Sequence, residues 1–280
     1  MSNSKNIRVS DTAFVTCAFR RLDEELSGDY YAKLWNNENA EKILKGYINY
    51  VSKEEIETHC IRNRYFLETI KNLVKNNEIE ILINFGAGFS MYPFLLDSDI
   101  SHIEIDKPEV VEYKKEVITK LISQNKLPKR DLTYVGVDFS QDYLDKLLTN
   151  LKQIVDNRSC FILIEGVLFF LNKSETILIF SLFDKLQNTN DYIGSVSYTE
   201  DARETSAFSR LIEYTNRGLK DASADGCQIV PNSFYESLES YRLINKEDYF
   251  SCSKLYNHKP KLDADDILNE SFYILKKTIS

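Results

Sequence analysis

Residues 80–106, EILINFGAGFSMYPFLLDSDISHIEID, leave this chain few folds to choose from. Ile81, Leu82 and Ile83 form an apolar run bounded by charge and too short for a helix, which reads as a buried strand. The run leads into Phe85-Gly86-Ala87-Gly88, whose glycines are free to take positive φ and to let a ligand approach the backbone closely. A short apolar segment of helical character follows, then a second strand over residues 102–105 that ends in Asp106. A glycine turn after one strand and an acid at the tip of the next is how α/β sheets hold a nucleoside. The glycines make room, and the acid accepts hydrogen bonds from the ribose hydroxyls. Two ligands compete for such a site. A dinucleotide wants a third glycine where Met91 stands, so that a pyrophosphate can rest on the helix N-terminus. S-adenosylmethionine has no phosphate and needs only the turn and the acid. A plain tight turn is the remaining reading.

The rest of the chain extends the same pattern. Pro108 suits the first turn of a helix carrying Val110, Val111, Val117 and Leu121. A third strand over 132–137 ends in Asp138, and a helix covers 142–151. A fourth strand over 161–164 ends in Glu165-Gly166. Asn172, with Glu175 three residues on, caps a helix through Phe183, and a fifth strand spans 192–198. This alternation predicts a parallel sheet with helices on both faces and ligands at the carboxyl ends of the strands. Residues 241–249 and 271–277 read as two closing strands, the last pair antiparallel, which makes seven.

Upstream, Phe14, Cys17, Ala18, Leu22 and Leu26 recur at helical spacing over residues 12–26. Ser52 and Glu55 have the spacing of a capping box opening a helix to about Asn76, with a buried stripe of Ile56, Cys60, Leu67, Ile70 and Val74. Residues 1–76 are therefore expected to be a helical cap, and residues 77–280 the α/β core, in one unit. Phe208, Leu211, Ile212, Thr215 and Leu219 mark an amphipathic helix in an insertion at about 200–225, read as a lid or as plain packing.

Composition narrows the partners. A chain of 280 residues with 43% hydrophobic residues can bury a full core. Its net charge of −8 offers no basic surface for nucleic acid. Five scattered cysteines without a C-x-x-C pair, and three distant histidines, predict reduced thiols in the cytoplasm rather than disulfides or a metal centre. The start lacks the apolar core of a signal peptide. Residues 161–171 are too few to span a bilayer and contain Glu165, so no membrane is expected.

Four strand ends thus carry Gly86 and Gly88, Asp106, Asp138 and Glu165. Asp138 is placed to reach an adenine amino group, and Phe139 to cover the adenine face. Glu165 lies between apolar runs, where a carboxylate needs a partner such as a cationic ligand. Asn84-Phe-Gly-Ala-Gly88, Glu104-Ile-Asp-Lys-Pro108, Gly136-Val-Asp-Phe139 and Ile164-Glu-Gly-Val-Leu168 together resemble the leucine carboxyl methyltransferase family. Ser10-Asp-Thr-Ala13 with Arg20, Gly28-Asp-Tyr-Tyr-Ala32 and Arg62-Asn-Arg64 extend the resemblance into the cap, so that it runs from Ser10 to Tyr198. It implies a Rossmann-like class I methyltransferase fold and S-adenosylmethionine as cofactor. It implies, too, that Arg20 and Arg62 reach the methionine carboxylate, Gly86 lies against the cofactor, Asp106 holds the ribose, Asp138-Phe139 hold the adenine, and Glu165 lies near the methionine ammonium. Arg62 and Arg64 point about 200° apart on a helix, so one of them, Arg62, is expected in the site. The family usually continues its glycine turn as G-A-G-x-D-x-R, and this chain has Ser90 and Tyr92 instead.

The acceptor is less constrained. No histidine stands at a strand's carboxyl end, and His102 lies on the wrong edge. A carboxylate needs no general base, so the expected acceptor is a small acidic molecule methylated on a carboxylate or an acidic hydroxyl. Tyr198, Glu200 and Arg203 are the candidate contacts. The alternatives are a protein C-terminal carboxyl group as acceptor, a non-catalytic nucleoside-binding relative, and an NAD-dependent oxidoreductase.

Overall fold

The computed structural model describes residues 11–35, 37–96, 100–218 and 227–278. The strands are β1 (Ile81–Phe85), β2 (Ser101–Asp106), β3 (Leu132–Gly136), β4 (Cys160–Ile164), β5 (Tyr192–Tyr198), β6 (Tyr241–Asp248) and β7 (Glu270–Lys277). They form one seven-stranded sheet in the order β3-β2-β1-β4-β5-β7-β6. The first five run parallel, with Ile83 opposite Ile103 and Ile81 opposite Cys160. β7 returns antiparallel between β5 and β6 and places Glu270 opposite Tyr198. Strand order reverses on either side of β1, so the ligand crevice belongs at the carboxyl ends of β1 and β4.

Eleven α-helices are described: α1 (Asp11–Arg20), α2 (Glu24–Ser27), α3 (Glu38–Gly46), α4 (Glu55–Lys75), α5 (Tyr92–Leu95), α6 (Pro108–Ser123), α7 (Leu144–Val155), α8 (Lys173–Leu186), α9 (Ser206–Gly218), α10 (Asn232–Glu236) and α11 (Tyr249–Leu255). β1 alternates its faces. Ile81, Ile83 and Phe85 bury against Leu147 and Leu151 of α7 and Phe180 and Phe183 of α8. Leu82 joins the other cluster, where Phe14, Cys17, Phe19 and Trp35 of the N-terminal region meet Leu163 and Phe272. α6 is pinned to β2 by a buried ion pair, Lys114 Nζ to Glu104 Oε1 at 2.7 Å. Among the described residues no helix is long and apolar enough to cross a membrane.

The helical pattern expected over 12–26 divides into α1 and α2. Asp23 caps α2 by accepting from Leu26 N, and Gly28 closes it at φ 68°. α4 starts and stops as its spacing predicts, but the capping box does not form. Ser52 Oγ donates to Asp266 O at 2.6 Å, and Glu55 is drawn into the interior at 2% exposure. On the opposite face Asn172 and Glu175 do form the expected box at the start of α8. α9 lies against the first 75 residues: Tyr214 packs on Tyr47 with ring centroids 4.9 Å apart, and Arg210 Nε donates to Val51 O. Ser10, Leu219 and the remainder of the expected insertion lie outside the described residues. Tyr249 does not end a strand as expected but opens α11, which is capped by Asp248.

Candidate active site

The turn after β1 is tied to β2. Gly86 N and Ala87 N both donate to Ile105 O, at 2.8 and 3.0 Å. Gly86 has φ 76°, and a Cβ there would lie 2.1 Å from Val167 Cγ2. Both facts demand glycine. Gly88, at φ 44°, has room: a Cβ would meet nothing nearer than Ala13 at 3.9 Å. Asp106, at the end of β2, accepts from Gly88 N through Oδ2 and from Lys107 N through Oδ1, each at 2.7 Å. Burial raises its pKa, and the two backbone donors oppose that shift. The result is a fixed carboxylate beside an open glycine, with lone pairs left for a diol.

Asp138 is exposed and turns to its own loop. Its Oδ1 accepts from Ser140 N at 3.0 Å and Ser140 Oγ at 2.6 Å, and these bonds lower its pKa. Phe139 is half-buried, edge-on to Phe85 and Tyr143.

At the end of β4 a buried ionic cluster gathers residues from four elements. Arg62 of α4 donates through Nε to Glu165 Oε1 at 2.9 Å, and through Nη1 to Glu270 Oε1 at 2.7 Å. Tyr92 of α5 donates to Glu165 Oε2 at 2.8 Å. Burial pushes the Tyr92 phenol well up, and the Glu165 charge adds to it. Arg20 ends α1, donates through Nε to Asp29 at 2.9 Å and through Nη2 to Cys17 Sγ at 3.2 Å, and lies within reach of the Glu165 charge. Arg64 faces away, paired with Glu68 at 3.2 Å. Tyr92, at the position where the resemblance expects an arginine, holds Glu165. Ser90, at the usual acid, accepts from Asn84 Nδ2 at 2.7 Å.

Asp29, Tyr92 and Glu270 were not among the expected site residues. For Glu270 the available signal was an acid opening an otherwise apolar strand, one residue before the strand expected from 271.

The three candidate acceptor residues separate. Tyr198 is buried, stacked on Phe169 at 4.4 Å and edge-on to Phe208. Glu200 and Arg203 ride a 3-10 turn that carries both into solvent. There Glu200 accepts from Asn232 Nδ2, and Arg203 donates to Cys227 O at 3.4 Å. Their charges gain hydration on the surface rather than facing the interior beside Tyr198.

These residues are compatible with S-adenosylmethionine: an open glycine stands beside a fixed carboxylate, and arginine and glutamate side chains carry charges opposite to the two of a methionine. No curated protein sequence matches the chain. In fold it is similar to a candidate methyltransferase from Thermobifida fusca YX (13% identity, 95% of this chain and 94% of that one, TM-score 0.65). It is similar too to a DUF574 family protein from Streptomyces avermitilis MA-4680 (12% identity, 95% and 97%, TM-score 0.60). The sequence model described as leucine carboxyl methyltransferase matches residues 19–183, more than half of the chain. The chain belongs to the leucine carboxyl methyltransferase family, whose methyl donor is S-adenosylmethionine.

Proposed function

We propose that the protein transfers a methyl group from S-adenosylmethionine to an oxygen of a small molecule bearing an acidic hydroxyl or a carboxyl group. The observation that carries this reading is a group of buried polar side chains near Arg62. Tyr198 and Glu270 belong to the sheet and Glu55 to α4, and all three are buried. Polar groups buried this deeply suit a small molecule better than the C-terminus of a folded protein.

In this reading Asp106 holds the ribose over Gly88, and Gly86 shapes the turn. Asp138 and Phe139 take the adenine edge and face. Arg62 is saturated by Glu165 and Glu270, so it positions Glu165 for the methionine ammonium, and Arg20 is left for the carboxylate. The bound cofactor supplies an already activated methyl group. The chain's work is then to align the acceptor oxygen and exclude water. Residues 1–76 act as the cap of the 77–280 core, with the 200–225 insertion as its lid. Five cysteines without a disulfide support a reducing compartment.

The test is transfer of label from methyl-labelled S-adenosylmethionine to a panel of small carboxylic acids, phenols, amines and thiols. The expected product carries the label on oxygen, and mild alkali separates esters, which release methanol, from ethers, which do not. Label found only on nitrogen, on sulfur or on a C-terminal peptide would contradict the proposal.

A further inference from the structure

Glu55 stands in the first turn of α4, on the face that presents Arg62 seven residues, or about 10 Å, further along. It is 2% exposed, and its Oε1 is buried with no hydrogen-bond partner among the described residues. His59 Nδ1 is 3.9 Å from Oε2 and bonds instead to the Glu55 carbonyl oxygen at 2.8 Å. A carboxyl oxygen this deep without a partner is costly unless a ligand completes it. Its surroundings point to the acceptor. Glu270 and the phenols of Tyr198 and Tyr47 are all close enough for their charges to act on one another. Tyr198 and Glu270 are paired across β5 and β7 at the sheet's ligand edge.

We propose that Glu55 is the general base of the reaction and that the acceptor is therefore a neutral hydroxyl compound, such as a phenol. The inference rests on the oxygen transfer proposed above and names its substrate class. As the acceptor oxygen bonds to the methyl carbon, the carbon–sulfur bond breaks and its electron pair stays on sulfur. The hydroxyl proton passes to the Glu55 carboxylate, which returns it to water after product leaves.

Burial, with Glu270 and Glu57 nearby and Arg62 opposing them, pushes Glu55 from 4.5 up to about 8. A base works best with a pKa near the working pH. His59 is the rival, but burial and the charge of Arg62 lower its pKa well below the usual histidine value, which leaves it a weak base. An anionic acceptor would come near Glu55, Glu165 and Glu270, and like charges there are unfavourable.

The experiment compares wild type and Glu55→Gln on phenol and on 4-nitrophenol, two acceptors of nearly one shape. Phenol titrates near 10, as tyrosine does, and needs a base. 4-Nitrophenol ionises around neutrality and does not. Glu55→Gln should lose about a hundredfold or more on phenol and little on 4-nitrophenol, and the wild-type rate on phenol should rise with pH and level off above about 8.

Stability without ligands gives a second readout. Because the folded pKa lies above the unfolded 4.5, the contribution of Glu55 is present below about 4.5 and lost as pH rises through about 8. Glu55→Gln cannot ionise, so its melting temperature should gain on wild type across that window. Equal losses on both phenols, or parallel stability profiles, would overturn the role of Glu55. No label on any oxygen acceptor would instead contradict the oxygen transfer, and this inference with it.

Discussion

Arg62 and Arg64 are two positions apart on α4 and meet opposite surroundings. Arg62 is 3% exposed and divides its guanidinium between Glu165 and Glu270, which only a planar fork can do. Arg62→Lys keeps the charge but cannot reach both carboxylates. These bonds lie within the protein, so the variant should lose stability, by about 1.5–3 kcal/mol per charge-assisted hydrogen bond, and bind S-adenosylmethionine more weakly because Glu165 is no longer held in place. Arg64 makes a half-exposed pair with Glu68, of a kind that contributes about 0.3–0.5 kcal/mol. Arg64→Lys should leave calorimetric affinity unchanged. The reverse result would mean that the wrong helix face has been assigned. Helical geometry told only that at most one of the two faces the site, and the family resemblance pointed to Arg62. Its saturation by two glutamates was not legible, because Glu270 is over two hundred residues away and meets it only once β7 is placed.

At the scale of elements, Asn172 and Ser52 show what a local pattern can and cannot tell. Both stand three residues before a glutamate. At α8 the box forms, with Asn172 Oδ1 accepting from Glu175 N at 3.0 Å and Glu175 Oε2 accepting from Asn172 N at 2.7 Å. Asn172→Ala should lower stability by about 1 kcal/mol. It should leave cofactor affinity unchanged, since α8 packs on the face of the sheet opposite α4; a chemical melt and calorimetry check the two halves. At α4 tertiary demand overrode the pattern, and Glu55 went to the interior. The five parallel strands were legible because buried strands between helices leave short apolar runs. α10 and α11 were not, since neither exceeds seven residues and periodicity needs a longer window. Asp248 and Ser251 were the available signal for α11, the same capping arrangement with a serine in the glutamate's place.

Over the whole molecule, the site is assembled from distant parts of the chain: Arg20, Arg62, the turn after β1, Asp106, Glu165 and Glu270. That the strand-end residues share one edge of the sheet could be read in advance, because the topology dictates which ends converge. The residues that complete their hydrogen bonds, Asp29, Tyr92 and Glu270, could not, because burial rather than sequence position makes them partners. The central proposal is that Asp106 and the Gly88 turn hold the ribose of S-adenosylmethionine. Calorimetric titration of S-adenosylmethionine into wild type and Asp106→Ala tests it most directly. Loss of one charge-assisted interaction, about 1.5–3 kcal/mol, predicts affinity weaker by roughly tenfold to a hundredfold. A folded Asp106→Ala protein that binds the cofactor as tightly as wild type would contradict it.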